Sequence, residues 1–87
     1  MKTYGVEFDY SEWEDSCSHK GSPRGFGSWV FSTDRNPHWD SESECRIDNL
    51  VIGSTYVWIN QSTFIAAKKQ AAKVAKERGW DLLFVLP

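Results

Sequence analysis

Residues 81–86, DLLFVL, are apolar at five of six positions and show no alternation. A strand written this way is covered on both faces, so the chain has to fold in layers around it. What precedes it supplies one of those layers. In the run from Phe64 to Arg78, residues Phe64, Ala67, Ala71, Val74 and Ala75 recur at helical spacing and define one buried face. Asn60 or Ser62 supplies the N-cap, because a short polar side chain there accepts a bond from an amide the helix leaves unpaired. Gly79 stops the helix in a left-handed cap, with Lys76 and Arg78 in the last turn where the helix dipole favours cations. The small alanines allow a close approach to whatever the helix covers.

The partner surface is a sheet. In TYGVEFDY, Tyr4, Val6, Phe8 and Tyr10 point one way and Gly5, Glu7 and Asp9 the other, the period-2 pattern of a half-buried strand. FGSWVFST (26–33) is a second strand. CRIDNLVI and TYVWI, separated by Gly53-Ser54, form a hairpin, or the first is a loose approach to a third strand at 54–59. Residues 11–25 and 34–44 lack periodicity and read as long loops, with Pro37 opposing a central strand. The expected fold is α+β: a three- to five-stranded, mainly antiparallel sheet with one helix on one face, in the order β-β-β-α-β. Residues 1–87 form a single domain.

An 87-residue domain buries only about 60–65% of its unfolded surface, so its 13 aromatics carry much of the core. Five of these are Trp, more than so small a core hides completely. Some of Trp13, Trp29, Trp39, Trp58 and Trp80 are therefore expected to be partly exposed, where aromatics serve as contact anchors. The opening MKTYGVEFDY has no apolar run or cleavage site, and no stretch approaches the roughly 20 apolar residues of a membrane span. Two cysteines make no disulfide framework. The expected setting is a reducing cytoplasm.

Charge is distributed unevenly. Residues 1–66 carry five basic and ten acidic side chains, residues 67–87 five basic and two acidic. Glu7, Asp9, Glu12, Glu14 and Asp15 crowd nine residues, and Glu7 and Asp9 share one face of the first strand, about 6.6 Å apart. That spacing approximates successive phosphates, and an acidic row of this kind can occupy a basic channel that normally holds nucleic acid. The simpler reading is that these acids keep an exposed sheet face from aggregating. A second acidic segment, Asp40, Glu42 and Glu44, is flanked by Trp39 and Cys45. Both long loops hold Trp, Arg and acids, a composition close to that of recognition surfaces. The expected partner-binding set is Glu7, Asp9, Glu12, Trp13, Glu14, Asp15, Trp39, Asp40, Glu42 and Glu44. On the helix, Lys69, Lys73 and Lys76 fall on one stripe, either a solvated outer face or a contact for phosphates.

Catalytic and metal signals are sparse. Cys17, His19, His38 and Cys45 equal a zinc ligand set in number but not in spacing, since one residue separates the first pair and six separate His38 from Cys45. His19 and His38 would suit acid–base cleavage of RNA with Lys20 or Arg35 beside them, but only residue type supports this. GSPRGFG (21–27) lacks the features of a phosphate-binding glycine loop. No enzyme activity, cofactor or metal is expected.

Three resemblances accompany this reading. KKQAAKVA resembles the C-terminal helix of double-stranded-RNA-binding domains, which implies phosphate contact through the lysines; the chain lacks that family's N-terminal helix and the glycine turn before the Lys pair. The order β-β-β-α-β resembles HicB-like antitoxins, without their glycine and proline signature. As a whole, a small acidic chain rich in Trp resembles phage-encoded proteins that block host machinery, anti-CRISPR proteins among them. That last resemblance implies a non-enzymatic inhibitor docking an acidic, aromatic surface on a host protein or ribonucleoprotein complex in the bacterial cytoplasm. The alternative is direct RNA or DNA binding by the helix lysines. No membrane partner is expected, and a homodimer stays open.

Overall fold

The computed structural model describes residues 2–14, 25–37, 39 and 44–86. Seven strands and two helices follow one another: β1 (Lys2–Thr3), β2 (Val6–Asp9), α1 (Ser11–Glu14), β3 (Phe26–Ser32), β4 (Cys45–Ile47), β5 (Leu50–Ile52), β6 (Tyr56–Thr63), α2 (Phe64–Arg78) and β7 (Leu82–Leu86). All the strands belong to one sheet, in the order β1-β2-β7-β3-β6-β5-β4. Five of its pairings are antiparallel, and β2 with β7 is parallel.

The α+β class and the single main helix are as expected, while the sheet is larger and mixed. The excess lies in very short strands. Tyr4 and Gly5 both have positive φ, 53° and 81°, and this tight turn folds β1 back on β2. The same device recurs at Asp48 (φ 53°), which splits CRIDNLVI into β4 and β5, and β5 then forms a hairpin with β6. The parallel pair arises because α2 carries the chain from β6 across the sheet to β7, which settles between β2 and β3.

Helix α2 begins without a linker. A register shift between β3 and β6 opposite Gly27–Trp29 and the left-handed Gln61 (φ 50°) mark a bulge, beyond which β6 continues to Thr63. Thr63 is therefore the N-cap, in place of Asn60 or Ser62: its hydroxyl accepts from the Ala66 N–H at 3.3 Å. At the other end Gly79 adopts φ 77°, and the N–H groups of Gly79 and Trp80 donate to the carbonyls of Lys76 and Ala75. The two bonds form the expected left-handed cap.

The core lies between α2 and one face of the sheet. Ala67, Ala71, Ala72 and Ala75 are fully buried against Val6, Phe31, Val57, Ile59, Leu83 and Val85. Toward the start of α2 the small residues give way to aromatics. The Phe64 ring lies 5.1 Å from Trp29 and 6.0 Å from Phe31, and Phe31 meets Phe8 edge-on at 5.7 Å. Trp29 also donates from Nε1 to the Ser62 carbonyl at 2.8 Å, which satisfies its one polar atom.

Two expectations are corrected at the front of the chain. The predicted loop 11–25 opens as α1, and Trp13 on that turn is buried in the core, 5.8 Å from Trp29. It is not an exposed anchor. Tyr4 is not part of the buried stripe either; it sits in the β1–β2 turn and is exposed.

Candidate docking face

Register assigns every sheet residue to a face. Phe8 pairs with Leu83, Phe31 with Val85 and Val57, and Trp29 with Ile59, all under α2. Their neighbours must point the other way. One row on this helix-free face runs Asp9–Phe84–Ser32–Tyr56, and the next runs Leu86–Val30–Trp58–Val51–Arg46.

The first row is covered by the segment after β3. Ser32 Oγ donates to the Thr55 carbonyl and accepts from the Asp34 N–H, which turns the chain back over the sheet. Arg35 then lies over the Phe84 ring at 5.1 Å, and Trp39 packs on Tyr56 at 4.5 Å. This is the second cover that the uniformly apolar β7 requires. Arg35 also reaches Glu12 on α1, Nη1 to Oε1 at 3.1 Å. The second row is more open. Trp58 is 41% exposed between Val30 and Val51, and Trp39 is 56% exposed.

The acids of the expected set divide into groups. Glu7 and Asp9 are on the helix-free face, and with Tyr10, Ser11 and Leu82 they line an open groove of about 500 Å³. In register Glu7 stands opposite Lys2. The Asp9 carboxyl is held below its ordinary value, first by the Ser11 hydroxyl and next by the Ser11 N–H. That N–H donates to Oδ1 at 2.8 Å. Partial burial opposes the shift and the charge of Arg35 adds to it.

Glu12 is paired with Arg35, and Glu44 turns inward to a side chain only 10% exposed, 3.7 Å from Arg46. The acidic row is therefore shorter than the sequence implied. Glu14 closes α1. Asp15, Asp40 and Glu42 lie outside the described residues, as do Cys17, His19 and His38 of the zinc and acid–base candidates. Cys45 is a free, exposed thiol on β4. Among the described residues no group of three or more potential metal ligands forms.

Lys69, Lys73 and Lys76 are exposed on α2, on the other layer of the molecule. Lys73 reaches the Tyr4 ring at 6.0 Å, and the neighbouring Lys68 covers Phe8 at 4.9 Å. Ion pairs between described side chains join Arg35 to Glu12 and Arg46 to Glu44, and neither involves α2. Glu7 and Asp9 and the α2 lysines thus lie on opposite layers.

Sequence reasoning missed Trp58 as a face residue, although alternation within TYVWI, with Val57 and Ile59 buried, was signal enough to find it. Arg35 left no such signal, since its role depends on the chain reversal after Ser32. Among the described residues no helix is long and apolar enough to cross a membrane. In comparisons with family models, curated proteins and solved structures, nothing matches this chain.

Proposed function

We propose that this chain is a non-catalytic binding protein that uses its helix-free sheet face to block a bacterial nucleic-acid-handling complex. The observation that carries the reading is co-facial placement. The Glu7 and Asp9 carboxylates share one sheet face with the exposed Trp58 and Trp39, and the α2 lysines sit behind it. An aromatic centre with a charged margin is the anatomy of a protein-binding patch. Carboxylates at one end orient such a patch toward a basic surface, and a channel built for nucleic acid is the strongest basic surface such a complex offers. On this reading the protein would act as small phage anti-defence inhibitors do, in the bacterial cytoplasm.

The test compares three variants for binding to the complex retained from bacterial lysate, with and without nuclease treatment. Trp58→Ser, and the pair Glu7→Lys with Asp9→Lys, are each expected to weaken binding tenfold or more, since a central anchor contributes about 2 kcal/mol or more and 1.4 kcal/mol is a factor of ten. Reversal of Lys69, Lys73 and Lys76 to Glu should leave affinity unchanged. If that reversal abolishes retention and nuclease releases the complex, the protein binds nucleic acid through α2 and the proposal fails.

A further inference from the structure

Among the described residues no strand pairs with the outer edge of β4, which presents a regular bonding pattern. The N–H of Asn60 donates to the Asn49 carbonyl and the N–H of Gly53 to the Tyr56 carbonyl, so residues 49, 51 and 53 direct their backbone groups toward β6. By alternation Leu50 and Ile52 face β4, where they pair with Ile47 and Cys45. The backbone N–H and C=O of Arg46 then point away from the sheet, and continuing the alternation to Glu44, just before β4, would direct its groups the same way. β4 is last in the strand order, and Cys45, Arg46 and Ile47 are all exposed. Of the protective devices common on edges, a proline and a bulge are missing from residues 44–47, while the strand is short and carries Arg46 and the inward-turned Glu44.

We propose that a second copy of this chain pairs antiparallel along this edge, with Cys45 on the twofold axis. Charge selects the partner and the register. Outward-facing residues must oppose one another for hydrogen bonds to form, so three symmetric registers centred within β4 are available. Centring on Arg46 places Arg46 against Arg46 and Glu44 against Asp48, like charge against like in every charged pair, which destabilises. Centring on Ile47 needs Asp48 in extended conformation, but Asp48 turns the chain at φ 53°. Centring on Cys45 places Glu44 opposite Arg46 twice.

Arg46 already approaches its own Glu44 at 3.7 Å, so the pairing would assemble a ladder of two arginines and two carboxylates. The Cys45 residues then form a non-hydrogen-bonded pair, with Cα atoms about 4.5 Å apart, within the range a disulfide spans. Because paired residues share a face, both helix-free faces lie on the same side of one continuous sheet, and the dimer presents the docking surface twice.

Two experiments test this. With Cys17→Ser, Cys45 is the chain's sole thiol; copper–phenanthroline in air should join two thiols as a disulfide, giving a species of twice the 10.0 kDa chain mass on a non-reducing gel. Moving the thiol to position 47 (Cys17→Ser, Cys45→Ser, Ile47→Cys) should sharply reduce this product. Under reducing conditions, light scattering should show a mass rising with concentration toward twice the chain mass. Arg46→Glu and Glu44→Arg should each be monomeric alone and form a dimer when mixed, since only the mixture restores opposite charges. A reduced protein that stays monomeric at every concentration, or cross-linking from position 47 at least as efficient as from Cys45, overturns the proposal.

Discussion

Gly53 is a glycine because of a neighbour and not because of its backbone. A Cβ built there would fall inside the Tyr56 ring, with Cδ1 at 2.8 Å and Cε1 and Cζ closer still. The ring cannot retreat easily: Tyr56 is 1% exposed, and Trp39 is packed against it at 4.5 Å. Gly53→Ala must therefore displace the ring or bend the β5–β6 hairpin, and overpacking of this kind costs about 1–3 kcal/mol. For a domain of this size each kcal/mol lowers Tm by about 4–8 °C. Urea denaturation should show a lower midpoint with an unchanged slope. Removing the obstacle supplies the control. In a Tyr56→Ala background, itself destabilised, adding Gly53→Ala should cost close to nothing, so the two changes couple by about the whole single-mutant penalty. A Gly53→Ala variant within about 0.5 kcal/mol of the parent, the usual range of a neutral surface change, would refute the reasoning. So would equal penalties in both backgrounds. The ring that forbids the methyl group also seats Trp39, so Gly53→Ala should also weaken binding through the helix-free face.

Other consequences follow from single contacts. Thr63→Ala removes the hydroxyl that accepts from Ala66 and should lower stability by about 1 kcal/mol in a denaturant titration. Asp9 has a depressed folded-state value, so its contribution is fully present above the ordinary 3.8 and is lost as pH falls through the folded value. The difference in urea midpoint between the parent and Asp9→Asn should accordingly be seen at neutral pH and shrink once the pH drops below 3.8.

What could be read from residues alone was whatever repeats long enough to show a period. The α2 face was legible because three alanines and two larger residues recur over four turns, and each of the five is buried. The apolar run of β7 was legible because a strand between two others, under α2 on one side and Arg35 on the other, has no solvent face to encode. Strands of two or three residues leave no alternation to count, so β1 and the division of CRIDNLVI into β4 and β5 were invisible and the sheet looked smaller. Trp13 was misplaced for the same reason, because a four-residue helix has no pattern to show which side it buries. The Thr63 cap was missed because the bulge at Gln61 lets the strand run three residues past its regular part.

The charge polarity was legible for a deeper reason. A single helix can cover only one face of this sheet, and its alanines claim the face that carries Val6 and Phe8. Glu7 and Asp9 then have no choice but the opposite face, because side chains alternate strictly along a strand. The outer lysines of α2 are excluded from that face by the same layer that buries the alanines. A slip of β2 by one residue against β7 would exchange the two sets, sending the carboxylates under the helix at a cost the domain could not meet. The separation of Glu7 and Asp9 from the α2 lysines is therefore enforced by burial in β2 itself. Surface substitutions can weaken either set, but they cannot bring the two onto one side while Val6 and Phe8 remain in the core.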